Sequence, residues 1–169
     1  EGRQLGGIHF AVDYLTQQNR AVAGQIIPQK QRILAKGKNV VVIGGGDTGA
    51  DCVGTANRQG AKNVTQLEIL PLPPAERTPD NPWPLWPQVL RTSSSHQEGC
   101  QRMFSVATKK FSGEYGLIKK LSLVDVVWEK NREGKWSMSE IPGSEREIQA
   151  DLVLLAMGFE QVIKEGLLD

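Results

Sequence analysis

Cysteine is scarce: Cys52 and Cys100 are the two in 169 residues. Neither has a neighbouring cysteine at the spacing that holds a metal or an iron–sulfur cluster. A disulfide framework and a cluster site are excluded from this stretch, and both residues read as free thiols of the kind that protein interiors bury. Long apolar runs are missing as well. The best candidate, residues 150–159, has the length of a strand and not of a bilayer span, so no membrane contact is expected. An excess of one charge is also absent. Twenty Lys and Arg face nineteen Asp and Glu, a net charge of +1, which leaves neither nucleic acid nor an anionic surface a field to follow. Residues 1–5 lack the basic-then-apolar shape of a secretory leader. The expected compartment is the cytoplasm, or an organelle matrix after removal of a transit peptide. With 39% hydrophobic and 23% charged residues, what remains is the composition of one folded domain.

What is present is a series of patterned segments. Ile8, Ala11, Val12 and Leu15 follow the i, i+3, i+4, i+7 spacing of an amphipathic helix, which ends near Asn19–Arg20. Residues 25–38 are polar and weakly patterned, a linker with little core potential whose Lys30, Arg32, Lys36 and Lys38 form a solvated face. Then Val40, Val41, Val42 and Ile43 stand in a row, four β-branched residues that suit a strand buried on both sides. A helix from Ala50 to Gln59 follows, stopped by Gly60, and a second strand covers 64–70. The unit of about thirty residues has the length of a right-handed βαβ crossover.

Residues 71–97 carry Pro71, Pro73, Pro74, Pro79, Pro82, Pro84 and Pro87, with Trp83 and Trp86 among them. Proline at this density prevents a regular helix before about Gln88. So long a loop inside a domain is functional or packs on a neighbour, and the indoles imply that it is ordered. Further on, 103–108 reads as a third strand. Residues 117–128 and 136–141 read as an antiparallel pair around a turn at 131–134, and 151–156 as a last buried strand. The fold class is α/β: a Rossmann-like parallel sheet with a βαβ unit and an antiparallel β-meander.

The chemistry lies in Gly44-Gly45-Gly46-Asp47-Thr48-Gly49. A G-x-G-x-x-G pattern alone is weak, but this one leaves a buried strand and opens a helix, the context that a dinucleotide-binding turn requires. Gly44 permits the tight turn, Gly46 lets a pyrophosphate approach the backbone, and Gly49 lets helix and strand pack closely. The helix's first N–H groups and its dipole then favour phosphate; the alternative is a glycine-rich turn without a ligand. Asp47 stands where the helix begins, as N-cap, ligand contact or both, with Thr48 beside it. Glu68 lies 24 residues after Gly44, close to where a carboxylate accepts hydrogen bonds from the adenosine ribose and favours NAD over NADP. An exposed strand-end carboxylate is the other reading. Arg77 is the candidate partner of a 2′-phosphate, so NADH and NADPH both stay open.

Four stretches together carry a resemblance: residues 44–55, Glu68-Ile-Leu-Pro, Asp80-Asn-Pro-Trp-Pro and residues 150–159, with 7–20 fitting the same pattern. They closely resemble the small subunit of glutamate synthase and the matching carboxy-terminal region of single-chain glutamate synthases. The resemblance spans essentially the whole chain, and the Trp-Pro loop and Leu15-Thr-Gln-Gln-Asn are narrower signatures than the glycine turn. It implies an NAD(P)H domain of the glutathione-reductase type of flavoprotein, inserted into an FAD domain. Hydride would pass from NADPH or NADH to FAD. Electrons would then pass through iron–sulfur clusters to the large (alpha) subunit, where 2-oxoglutarate and glutamine-derived ammonia become glutamate. It also adds Ala156, Met157 and Gly158 to the cofactor-binding set.

A second glycine turn for FAD and a cysteine cluster are both missing from these residues. We therefore expect a segment of a longer protein: 1–37 leading in from the FAD domain, 38–159 the NAD(P)H-binding domain, and 160–169 returning. Alone it is expected to bind dinucleotide and not to make glutamate. Because the cofactor carries the hydride chemistry, no catalytic residue and no metal ligand is assigned, and His9, His96 and Cys52 are given structural roles. The alternatives are a related electron-input subunit, like that of dihydropyrimidine dehydrogenase or a ferredoxin-dependent reductase, and a non-catalytic scaffold, which would require a spoiled glycine turn.

Overall fold

Strands with apolar residues on both faces decide the architecture. The computed structural model describes residues 1–131 and 134–158. The chain runs through β1 (Ile8–Phe10), α1 (Ala11–Val22), β2 (Asn39–Ile43), α2 (Asp47–Arg58) and β3 (Asn63–Leu67). After the proline-rich loop come α3 (Ser94–Gln97), β4 (Gln101–Met103), β5 (Val106–Glu114), β6 (Leu117–Lys130), β7 (Trp136–Glu140), β8 (Arg146–Gln149) and β9 (Leu152–Leu155). A five-stranded sheet in the order β1-β9-β2-β3-β4 has every neighbouring pair parallel. A second sheet is antiparallel. The long β6 pairs with β5 along one edge and with β7 and then β8 elsewhere along its length.

The parallel sheet lies between two cores, and the strand period of two sorts its residues between them. Val40, Val42, Leu152 and Leu154 face α1 and α2, where they meet Ala11, Tyr14, Cys52, Val53 and Ala56. Val41, Val153 and Leu155 face the other way, onto Ile118, Leu121 and Leu123 of the antiparallel sheet. Runs of β-branched and branched residues in β2 and β9 are thus what a strand covered on both sides needs. The second sheet is also stitched to the first through backbone: Ile118 donates to the Gly6 carbonyl at 2.9 Å and Ala150 to that of Lys119 at 2.9 Å.

The βαβ unit, the 117–128 and 136–141 pair and the last strand stand where the sequence puts them, with shifted ends. The helix of the unit starts at Asp47 and β3 stops at Leu67. Gly60, at φ +79°, follows the helix end in the left-handed region as expected. Three expectations need correction. Residues 8–10 are a strand, not the start of a helix, because Ile8 fills the core under the antiparallel sheet while Ala11 and Tyr14 fill the one under the helices. Residues 8–22 thus supply an edge strand and a packed helix to this layered unit. The stretch 103–108 is two strands in two sheets, broken at Ser105, whose φ of +55° turns the chain from β4 into β5. The 25–38 linker does reach the core. Ala35 is fully buried, its N–H donates to Gln59 Oε1 at 2.8 Å, and Ile33 exchanges hydrogen bonds with Gln17 at 3.0 and 3.3 Å. Strand β8 had no counterpart in the sequence reading. The expected return segment, 160–169, lies outside the described residues.

Leu154 is fully buried at the centre of the helix-side core. Leu154→Ala is expected to destabilise the protein by roughly 2–5 kcal/mol, read as a lower denaturant midpoint with an unchanged slope.

Candidate functional site

At the carboxyl end of β2 the chain makes its turn, and its three motif glycines are there for different reasons. Gly44 sits at φ +125°, and a Cβ on it would lie 2.3 Å from the Ala156 carbonyl oxygen. A Cβ on Gly49 would lie 2.3 Å from the Gly44 carbonyl oxygen and 2.7 Å from Gln66 Nε2. Both positions are closed to other residues by the fold itself. Gly46 is different. Its φ of −80° and ψ of −174° are ordinary extended backbone, and a Cβ there would meet nothing within 4 Å.

Gly46, not Asp47, is the N-cap of α2, and no side chain caps that end. Asp47 is the first helical residue, where its charge complements the dipole. The first intrahelical bond runs from Ala50 N–H to the Gly46 carbonyl at 3.0 Å, so the N–H groups of Asp47, Thr48 and Gly49 precede the helix ladder. The turn therefore offers an open surface at Gly46 with a helix N-terminus behind it.

The peptide joining Gly44 to Gly45 is gripped from both sides. Gln66 Nε2 donates to its carbonyl oxygen at 2.9 Å, and its N–H, that of Gly45, donates to Glu68 Oε2 at 2.8 Å. The other Glu68 oxygen accepts from Leu70 N–H at 2.9 Å. Glu68 thus stands just past the end of β3 as expected, with its carboxylate turned into the glycine turn. Arg77 is committed elsewhere: its guanidinium donates to the carbonyls of Asn81 at 3.0 Å and Leu85 at 2.9 Å. Ala156 continues the β9 register, donating to the Ile43 carbonyl at 2.8 Å, while its own carbonyl lies under Gly44. Met157 is exposed, and Gly158 has open space where a Cβ would stand.

The proline-rich loop is held by polar groups, with the Arg91 guanidinium also lying 4.4 Å over the Trp86 ring. Asn81 is buried; it donates to the Trp86 carbonyl at 3.0 Å and accepts from Gln88 N–H at 2.9 Å. Trp83 and Trp86 are 82% and 74% exposed, so the loop is held by these hydrogen bonds and not by buried indoles.

Gln66 escaped the sequence reading, and His96, given a structural role there, proves to be its partner beside the turn. Gln66 is buried although it carries a polar side chain, and its Oε1 lies 2.8 Å from His96 Nε2. His96 Nδ1 accepts from Ser93 N–H at 3.2 Å and lies 3.0 Å from Ser93 Oγ, closing a capping box on α3. A glutamine between Val64 and Leu67, the two apolar residues by which β3 enters the core, was the one available signal, since a buried amide needs partners. Burial, and behind it the Arg102 guanidinium, holds the His96 imidazole below its ordinary range. His9 is lowered by burial first and by Lys38 next.

Among the described residues no three His, Cys, Asp or Glu converge as metal ligands, and no helix is long and apolar enough to cross a membrane. Cys52 and Cys100 are free thiols. Cys52 is fully buried, and burial, with Asp51 adding to it, pushes its thiol up to about 12. In the native protein Cys52 is expected to resist thiol reagents at pH 8 and to react only after denaturant is added; mass spectrometry of the alkylated protein reads this directly.

A parallel sheet layered between helices and an antiparallel sheet, with a glycine turn at its carboxyl edge, is the dinucleotide-domain architecture of glutathione-reductase-type flavoproteins. The fold is shared with the solved structure of Mycobacterium tuberculosis FprA in complex with NADPH, at a TM-score of 0.66 and 15% identity, over 98% of this chain and 48% of that one. It is shared too with thioredoxin reductase of T. acidophilum, at 0.50 and 19%, over 90% and 36%. No protein-family model matches the chain.

Individual relatives do. The chain is 46% identical over 170 residues to a glutamate synthase [NADPH] small chain of Mycobacterium tuberculosis, covering 99% of this chain and 34% of the relative. It is 46% identical over 164 residues to the glutamate synthase [NADH] of Schizosaccharomyces pombe, covering 93% and 8%. A Bacillus subtilis small chain is 42% identical over 167 residues. Over nearly all of its length the chain is similar to one segment of glutamate synthase small chains and of single-chain glutamate synthases, and it spans about a third of the length of the small chains that it matches.

Proposed function

We propose that this chain binds the nicotinamide dinucleotide of a glutamate synthase and presents it to a flavin held by an adjoining part of the same protein. In that reading the electrons continue through iron–sulfur clusters to the large subunit or its single-chain equivalent, where glutamate is formed. Its setting would be the cytoplasm or an organelle matrix. The names of the relatives support the enzyme, and Gly46 carries the claim of a binding site. Two of the three motif glycines are required by backbone conformation or by packing. At Gly46 neither reason applies, so a group outside the chain accounts for its lack of a side chain. A pyrophosphate fits that role. It is an anion, it needs close approach to backbone, and the N–H groups of Asp47 to Gly49 with the helix dipole lie behind the open surface.

The nicotinamide supplies hydride transfer when bound. The residues of this chain bind and orient it: Gly44 and Gly49 shape the turn, Gly46 admits the phosphates, and Asp47 and Thr48 open the helix that faces them. Gly45 and Glu68 border the same turn, and Ala156, Met157 and Gly158 continue past it from β9. Relatives of equal identity are named for NADH and for NADPH, so the names do not choose the coenzyme. Glu68 favours NADH, since a carboxylate at the end of β3 repels a 2′-phosphate, and Arg77 is already occupied by loop carbonyls.

Calorimetric titration of the protein with NADH and with NADPH tests this. Saturable binding is expected for both, tighter for NADH; absence of binding to either overturns the reading, and a preference for NADPH overturns the role of Glu68. Gly46→Val is expected to weaken binding by at least about a hundredfold while changing stability by no more than about 1 kcal/mol. Unchanged affinity in that variant would place the ligand elsewhere.

A further inference from the structure

We propose that Gln66 and His96 are positioning residues for the dinucleotide turn: through them the N-cap of α3 holds the Gly44–Gly45 peptide so that its carbonyl points away from the phosphate-facing side. The proposal rests on the dinucleotide reading of the turn. A peptide plane between two glycines is the kind most free to rotate, because neither side carries a Cβ to resist it. Rotated, this one would turn its carbonyl oxygen onto the Glu68 carboxylate and lose both hydrogen bonds that shape the turn. The 2.9 Å bond from Gln66 Nε2 to the Gly44 oxygen opposes that rotation. The side chain that makes it is 2% exposed, so it has no water to turn to instead.

The donors and acceptors along the chain fit in a single way. Gln66 uses its amide nitrogen on Gly44, so its Oε1 faces His96 and must accept. His96 Nε2, 2.8 Å away, therefore carries the proton. Nδ1 is then bare and accepts from Ser93 N–H at 3.2 Å, with Ser93 Oγ 3.0 Å away. Only the neutral Nε2–H imidazole satisfies all three contacts. A second proton on Nδ1 would meet the Ser93 N–H and break the cap. The charges around the ring also favour the neutral form. Arg102 approaches from β4, while Arg58 of α2 is paired with Glu98 just past α3.

The sign follows from which form holds the turn. His96 is held below the ordinary 6.5, so the chain is intact above that value. It loosens as pH falls through the lowered one, taking both stability and dinucleotide affinity with it.

The test is calorimetric titration with NAD⁺ at pH 7.5 and 5.5. NAD⁺ lacks the 2′-phosphate that itself ionises near pH 6, and this window lies above the ordinary carboxylate range. Wild type is expected to bind more weakly at pH 5.5 than at pH 7.5, by less than the roughly tenfold that an imidazole at the ordinary 6.5 would give. Gln66→Leu, close in volume and unable to donate, is expected to bind at least about tenfold more weakly at pH 7.5. In His96→Gln an amide donor replaces Nε2 without titrating. That variant is expected to bind within about threefold of wild type at pH 7.5 and to lose the pH dependence. His9 on β1 is still present in it, so a contribution from that ring would survive the substitution.

Wild-type affinity in Gln66→Leu, or an unaltered pH dependence in His96→Gln, overturns the proposal while leaving the dinucleotide site standing. Thermal unfolding checks that each variant folds; if Gln66→Leu does not, the pH comparison decides alone. No binding by wild type at either pH overturns the dinucleotide reading and this proposal with it.

Discussion

One peptide plane, between Gly44 and Gly45, sits where the demands of the fold meet. Its carbonyl oxygen would be 2.3 Å from a Cβ on Gly49 and accepts a hydrogen bond from Gln66, and its N–H reaches Glu68. Because a peptide is planar, fixing either end fixes both. Helix α2 can approach β2 only because Gly49 leaves that oxygen room. β3 contributes Gln66 and, at its end, Glu68, and β9 backs the turn with the Ala156 carbonyl. Three parallel strands and a helix are thus indexed to one another through four atoms of backbone.

Around that point the domain is built as two unlike cores sharing one sheet. The helix side is filled by small residues, Ala11, Ala35, Cys52 and Ala56, with Tyr14 as the large member. The other side is filled by larger aliphatic chains from the antiparallel sheet. Small residues let α1 and α2 lie close to the strands. The longer Leu and Ile side chains span the gap between two sheets, which stack about 10 Å apart. β2 and β9 must serve both sides at once, and their uninterrupted branched residues follow from that double duty.

The same reasoning explains what the sequence could and could not reveal. The strand, turn and helix from Asn39 to Gly60 were legible because the signals are local and dense: four β-branched residues, three glycines in register and a closing glycine. Ile8 was misjudged because periodicity counts apolar residues without saying which side of a sheet each will serve. Residues 103–108 looked continuous since Met103 and Val106 are both apolar, while the break at Ser105 is a single backbone angle with no compositional mark. β8 was hidden because Arg146 and Glu147 meet solvent or ion-pair partners, Asp125 and Lys120, and leave only Ile148 to signal a strand. Gln66 and His96 lie thirty positions apart, and no spacing rule connects them.

The ordinary backbone of Gly46 bears on how relatives of this chain are to be read. Gly44 and Gly49 are held by the architecture, so any descendant that still folds this way retains them whether or not it still holds a ligand. Gly46 carries no such obligation. On the dinucleotide role proposed for the turn, drift at that one position would end binding and leave the scaffold standing, so in a comparison of homologues it would separate working copies from merely structural ones.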